Sequence, residues 1–209
     1  MEAQEIENRE SFLRRLYTPP GSVLFSEDEA TRIEMAYDLA KLAHRWQLRK
    51  DGTRYFEHPR RVALQLLDAI ELYDCETIIV GLLHDGYEDS PKHVNPAKVR
   101  VLGGEGAARK LRLLSKVPKE DYVERLLKYA DWMTLTAKLC DRYDNYGDLE
   151  GRDDAFQRKQ TLETRDVYLP LFEHLSDITP KPYKARVDCM FEKLAWMVRQ
   201  RAAVLGLQG

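Results

Sequence analysis

Three short stretches of this 209-residue chain gather side chains able to hold a metal ion and move a proton. They are Arg49-Lys50-Asp51-Gly52-Thr53-Arg54-Tyr55-Phe56-Glu57-His58-Pro59, Leu82-Leu83-His84-Asp85-Gly86-Tyr87-Glu88-Asp89-Ser90, and Lys138-Leu139-Cys140-Asp141-Arg142-Tyr143-Asp144-Asn145. His84-Asp85 closes a very apolar run, where an ionised carboxylate is costly unless paired or metal-bound. In a continuing helix Glu88 lies one turn beyond His84 and Asp89 one turn beyond Asp85, so the acids crowd one side. A divalent cation relieves their repulsion; a solvated acidic helix end is the competing account. Asp141 also follows an apolar stretch, with Asn145 one turn on, and a salt bridge to Lys138 or Arg142 is its other explanation. His58, placed before a proline at a helix start, suits a capping residue as well as a ligand. Together the two imidazoles and two carboxylates suit manganese, iron or zinc, with magnesium a further candidate, and leave positions for water and a substrate oxygen. Thiolate ligation is not expected, because no cysteines cluster.

The elements that must position these residues read as helices. Ser26 opens S-x-x-E with Glu29, a capping box. Ile33, Ala36, Leu39, Ala40, Ala43 and Trp46 follow at helical spacing, predicting a helix that stops near Lys50-Asp51-Gly52. Pro59 suits the first turn of a second helix, with Val62, Leu66, Leu67 and Ile70 as its apolar stripe. Asp74 is the expected N-cap of a third helix containing ETIIVGLLHD. Apolar almost all round, this should be the central, most buried helix. Its β-branched residues make a strand the alternative, but no turn signals flank the run. Asn95-Pro96 reads as a cap and first-turn proline, and Gly103-Gly104 as a break. Further helices are expected over 105–114, 119–129, 132–146, 155–175 and 183–205, with Pro180 and Pro182 bracketing the last turn. The fold expected is all-α: residues 1–25 an N-terminal extension, 26–150 the core of the domain, and 151–209 C-terminal helices packing on the same domain.

Composition excludes some function classes. Lys plus Arg (33) nearly balance Asp plus Glu (35), for a net charge of −2. Such a chain has no general attraction for nucleic-acid polymers or anionic membranes, so phosphate binding must be local. Three cysteines without CxxC spacing suggest buried, reduced thiols. The polar, acidic N-terminus lacks an apolar signal region, and no apolar run approaches the roughly 18 residues of a membrane span. A cytoplasmic protein is expected, and a homo-oligomer is compatible with the sequence.

The order H…HD…D resembles the HD phosphohydrolase superfamily, and the local wording resembles the hydrolase domain of the RelA/SpoT alarmone enzymes. AHRWQLRKDGTRYFEHPRRVA is similar to that family's A-H-x-x-Q-x-R-K-x-G-x-x-Y-x-x-H-P-x-x-V-A, LLHDGYEDS to its LLHD-x-x-ED-T, and KLCDRYDN to its KL-x-DR-x-x-N. The match spans about residues 36–149, and ETRDVYLPLFEHL from Glu163 weakly echoes the following segment. The resemblance implies an HD-domain helical bundle that removes the 3′-pyrophosphate from guanosine 3′,5′-polyphosphates, with manganese as the usual metal. It implies His58, His84, Asp85 and Asp141 as metal ligands and Glu88 and Asp89 as the groups that position or activate water. Arg49 and Lys50 would contact the nucleotide, and Asn145 would hold substrate near the ribose and metal. A basic helix C-terminus is the plainer explanation of Arg49-Lys50.

Three departures bear on the substrate. Asp144 stands where the family usually has His or Tyr, either pointing to solvent or altering how a polyanion is held. Tyr146-Gly147-Asp148 fits the family's N-x-R-T or N-x-R-D ending only in part. The segment between Leu114 and Trp132 is shorter than the lysine-containing loop of the long enzymes. They keep open another nucleotide substrate, such as a nucleoside monophosphate or NADPH. A metal-containing regulatory module is a third reading, against which Glu88, Asp89 and Asn145 weigh. A second catalytic domain is not expected after this region, so single-domain relatives, including the metazoan SpoT homologue and small bacterial alarmone hydrolases, are the expected comparison.

Overall fold

Asp74 starts the central helix by accepting a hydrogen bond from the Thr77 backbone N–H at 2.8 Å, an N-cap worth about 1 kcal/mol. The helix that follows, α4 (Cys75–Asp89), buries Ile78, Ile79, Val80, Leu82 and Leu83 completely. The helical reading of TIIVGLL holds and the strand alternative fails, because neighbours on every side cover the segment. In this computed structural model, which describes residues 8–17, 24–50 and 52–207, α4 packs against α2 (Glu27–Ala43), α3 (Glu57–Leu64), α5 (Pro96–Leu114) and α7 (Trp132–Gly147). The fold is an all-α helical bundle. Among the described residues the sole β feature is an isolated antiparallel bridge between Leu48 and Arg54.

Several sequence signals act as expected. Ser26 and Glu29 form the capping box of α2, Pro59 lies in the first turn of α3, and Asn95 caps α5 ahead of Pro96. Val62, Leu66, Leu67 and Ile70 are buried, the last three in or beside a π-helical turn (Gln65–Ala69) that continues α3. Gly104, at φ +73°, kinks α5 in two.

Other expectations need correction. Helix α2 ends at Ala43, capped by His44, well short of Lys50. Residues 47–55 instead fold back: the Arg49 N–H donates to the Thr53 carbonyl (2.8 Å) and the Tyr55 N–H to the Gln47 carbonyl (3.0 Å). Gly52 supplies positive φ (+84°) inside this turn and is not a helix cap. Trp46 consequently leaves the apolar stripe and is 85% exposed. Pro180 and Pro182 are the N-cap and a first-turn residue of α10 (Lys181–Val204) and do not bracket a turn. Cys75 and Cys140 are buried thiols, but Cys189 is exposed.

The remaining helices are α1 (Arg9–Arg14), α6 (Tyr122–Tyr129), α8 (Asp154–Glu163) and α9 (Leu169–Ile178), with a π-helical turn (Thr164–Tyr168) joining α8 to α9. Phe12 of α1 packs on Tyr37, ring centroids 4.8 Å apart. Helix α10 packs on α7, α8 and α9 through Val187, Met190, Leu194 and Val198. Of the segments expected at the ends, residues 1–7, 18–23 and 208–209 lie outside the described residues, as does Asp51 of the first motif.

Candidate metal centre

His58 opens α3, His84 and Asp85 sit in the last turns of α4, and Asp141 lies in the middle of α7. Helices α3 and α4 can approach closely because Gly81 has no side chain. A Cβ there would come within 2.9 Å of Leu66 Cδ1 and 3.5 Å of Val62 Cγ1. His58 Nε2 lies 3.2 Å from His84 Nε2, 3.2 Å from Asp141 Oδ1 and 3.4 Å from Asp85 Oδ2. His84 Nε2 lies 3.2 Å from Asp85 Oδ1 and 3.4 Å from Asp141 Oδ1. Nitrogen or oxygen ligands about 2.1 Å from one ion stand about 3.0 Å apart at right angles and about 3.4 Å apart in a tetrahedron. The observed separations fall in that interval: the donor atoms of His58, His84 and Asp85 lie close enough together to share one ion, Asp141 Oδ1 stands beside both histidines, and the donor chemistry suits a divalent cation.

The groups behind these atoms aim them. His58 Nδ1 donates to Asp144 Oδ2 (2.6 Å) and His84 Nδ1 to the Gly81 carbonyl (2.9 Å), so both rings turn Nε2 toward the centre. The Tyr55 hydroxyl donates to Asp85 Oδ2 (2.9 Å). Asp141 accepts from Lys138 Nζ (2.7 Å) and Asn145 Nδ2 (2.6 Å). The salt bridge that competed as an explanation of Asp141 is therefore present, with Lys138, on a carboxylate that also faces both histidines. Burial would raise the pKa of Asp141, but Lys138, His58 and His84 hold it well below the usual carboxylate range. Burial opposes charge on His58, yet Asp141, Asp144 and Asp85 push its pKa up to about 9.

His84, Asp85, Asp141 and Asn145 line a cavity of about 590 Å³ together with Arg49, Lys50, Glu88 and Asp89. Asp89 is raised by partial burial and by Asp85 nearby. Glu88 Oε1 accepts the Lys116 backbone N–H at 2.5 Å. Arg49 and Lys50 reach the cavity from the fold-back turn, not from a helix C-terminus, which removes the dipole explanation for them. Arg49 is ion-paired with Asp148, and its Nη2 is 3.9 Å from Asp144. Lys50 Nζ is 3.8 Å from Asp153. Asp144 does not point to solvent: it is 7% exposed and held by Arg61.

No family model matches the chain. It is 36% identical over 155 residues to a guanosine-3′,5′-bis(diphosphate) 3′-pyrophosphohydrolase of Aquifex aeolicus, a stretch covering 70% of this chain and 22% of that protein. It is 30% identical over 161 residues to the bifunctional (p)ppGpp synthase/hydrolase SpoT of Escherichia coli, covering 71% and 22%. The chain thus spans about a fifth of the length of these curated relatives. A solved structure of a metazoan orthologue of SpoT that hydrolyses ppGpp superposes with a TM-score of 0.55 at 22% identity, covering 78% of this chain and 94% of that one. In sequence and in fold, the chain resembles a RelA/SpoT-type hydrolase domain.

Sequence reasoning left several site residues without a role. Tyr55 stood inside the first motif, three residues before His58. Arg61 follows His58 by three, one helical turn on the same face, and that spacing was the available signal. Lys116 and Arg142 also line the cavity. Arg142 packs 3.9 Å over the Tyr168 ring and donates to Gln160 (2.7 Å). Lys116 carried no signal, since only the packing of the 115–121 segment brings it to the site.

Proposed function

We propose that this chain is a divalent-metal-dependent phosphohydrolase that removes pyrophosphate from the 3′ position of guanosine 3′,5′-polyphosphates. The observation that carries the reading is the convergence of donor atoms from His58, His84, Asp85 and Asp141 beside a polar cavity. These four residues would hold the ion, with manganese favoured by the resemblance. When bound, the cation polarises a phosphoryl oxygen and lowers the pKa of water. Glu88 and Asp89 act on the proton side of the reaction. Asp89 has the raised pKa that suits an acceptor of the attacking water's proton. Asn145 spends its Nδ2 on Asp141, leaving its carbonyl oxygen to accept from a ribose hydroxyl. Arg49 and Lys50 bind the nucleotide, Arg49 by exchanging its carboxylate partner for phosphate. The names of the Aquifex and E. coli relatives support the substrate class. The unpaired thiols support a reducing cytoplasm as the compartment.

A second reading has an observation in its favour. Asp148 and Asp144 already neutralise Arg49, which favours a nucleotide with fewer phosphates, such as a nucleoside monophosphate or NADPH. The test incubates manganese-loaded protein with ppGpp, NADPH and a nucleoside monophosphate panel, following phosphate and pyrophosphate separately. Pyrophosphate released from ppGpp is the expected result. Phosphate from another nucleotide with ppGpp untouched would replace the first reading with the second, and no turnover would leave a regulatory module.

A further inference from the structure

We infer that Asp144 is a positioning residue for the metal centre, acting through His58; the inference rests on the metal reading above. His58 is fully buried, with Asp144 on one side of its ring and Asp85 and Asp141 on the other. Its Nε2 faces His84, Asp85 and Asp141, and its Nδ1 lies 2.6 Å from Asp144 Oδ2. An imidazole ring is rigid, so fixing Nδ1 on one side aims Nε2 on the other. A carboxylate acceptor also keeps the proton on Nδ1, leaving the Nε2 lone pair for the cation and making the ring a stronger donor.

The two histidines differ in this respect. His84 Nδ1 meets only a backbone carbonyl, that of Gly81 at 2.9 Å, whereas His58 meets a full negative charge. Asp144 is itself held in place. Arg61 donates Nε to Oδ1 (2.6 Å) and Nη2 to Oδ2 (2.9 Å), a two-pronged grip that fixes the plane of the carboxylate. Gln65 Nε2 adds a 3.4 Å contact to Oδ1, and Asp148 anchors Arg61 from beyond at 2.6 Å. The spacing accounts for the assembly. His58, Arg61 and Gln65 follow at i, i+3 and i+7 along α3 and into the π-helical turn that continues it, and Asp141, Asp144 and Asp148 do the same along α7 to its C-cap. One end of the paired faces carries metal donors and the rest carries the residues that aim them. The aspartate that departs from the family pattern is thus part of the centre's construction.

The simpler alternative is an ion pair that only ties α3 to α7. Zinc binding separates the two, measured on the full chain by competition with a chromophoric chelator. Asp144→Asn keeps the shape and can still accept from Nδ1–H, but removes the charge. It should bind zinc about 10- to 100-fold more weakly, while thermal melting of the metal-free variant verifies that it folds. Proton–nitrogen NMR of zinc-loaded wild type should show a downfield Nδ1–H on His58 with Nε2 metal-bound, and the signal should move upfield in Asp144→Asn. The wild-type spectrum tests the inference even if the variant does not fold. Zinc affinity unchanged in Asp144→Asn, or a wild-type His58 without a bonded Nδ1–H, overturns the inference and leaves the metal centre standing. Wild type that binds no divalent ion overturns both.

Discussion

His58 and Asp85 present opposite charge problems in the metal-free protein. Burial disfavours the imidazolium, yet Asp141, Asp144 and Asp85 raise the His58 pKa from 6.5 to about 9. Burial would likewise raise Asp85, but His84 and His58 lower it. A cation entering the site must displace protons from His58 and from His84, whose pKa is also raised, so its apparent affinity should climb by about tenfold or more per pH unit toward pH 9 and then level. The stability of the metal-free protein runs the other way. A raised pKa means the His58 proton stabilises fully below 6.5, and that contribution disappears as pH rises through about 9. Thermal melts of chelator-treated protein across this range measure it; a flat profile would contradict the buried, acid-flanked placement of His58. Substitution separates holding the metal from moving the proton. Asp85→Ala should lose both metal and turnover, whereas Glu88→Ala and Asp89→Asn should keep most of the metal and lose about 10²- to 10⁴-fold in rate. Wild-type turnover by Asp85→Ala would sink the assignment of ligands.

The close approach of α3 and α4 is what allows the two histidines to meet. Gly81 provides it, and its carbonyl also receives His84 Nδ1. Gly81→Val should push α3 away through Leu66 and Val62. The expected cost is about 1–3 kcal/mol of stability, with weaker metal binding out of proportion to the loss of folded protein. Metal affinity equal to wild type in the folded fraction would show that the helix spacing is not critical. At this scale the sequence was legible where a local rule sufficed. Ser26 and Glu29, Asp74, and Asn95 with Pro96 mark helix starts because capping depends on neighbours within one turn. The end of α2 was not legible. Ala43, Trp46 and Gly52 continue an apparent helical pattern, but hydrogen bonds between residues 47–49 and 53–55 outcompete it.

At the level of the whole molecule the candidate centre joins three helices distant in sequence, so an ion bound there should stabilise the entire fold. At a free concentration of 100 times its Kd the gain is about 2.7 kcal/mol, or about 5–10 °C in Tm for a chain of this size. Calorimetry with manganese and after chelation checks this, and an identical Tm in both would argue against a site spanning α3, α4 and α7. Thiol chemistry reports on the packing of the same helices. Burial pushes the Cys75 thiol up to about 11 and raises Cys140 as well, while Cys189 is exposed. One thiol should react promptly with a disulfide reagent in native protein at neutral pH, and all three after denaturation.

The sequence alone determined the helical class and the buried central helix, and it nominated four candidate ligands. The first two follow from periodicity and capping, which are local. The ligands came from ordered motifs matching a known pattern; composition would have left His58 no better than a cap. Only the tertiary structure decided what surrounds them. Asp144 looked like a departure facing solvent or substrate, and it became the partner of His58 Nδ1 because α3 and α7 align residues 86 positions apart. Arg49 looked free for phosphate and is found on Asp148, 99 positions away. Such pairings depend on which helix faces meet and at what register, and no spacing within a single segment encodes that.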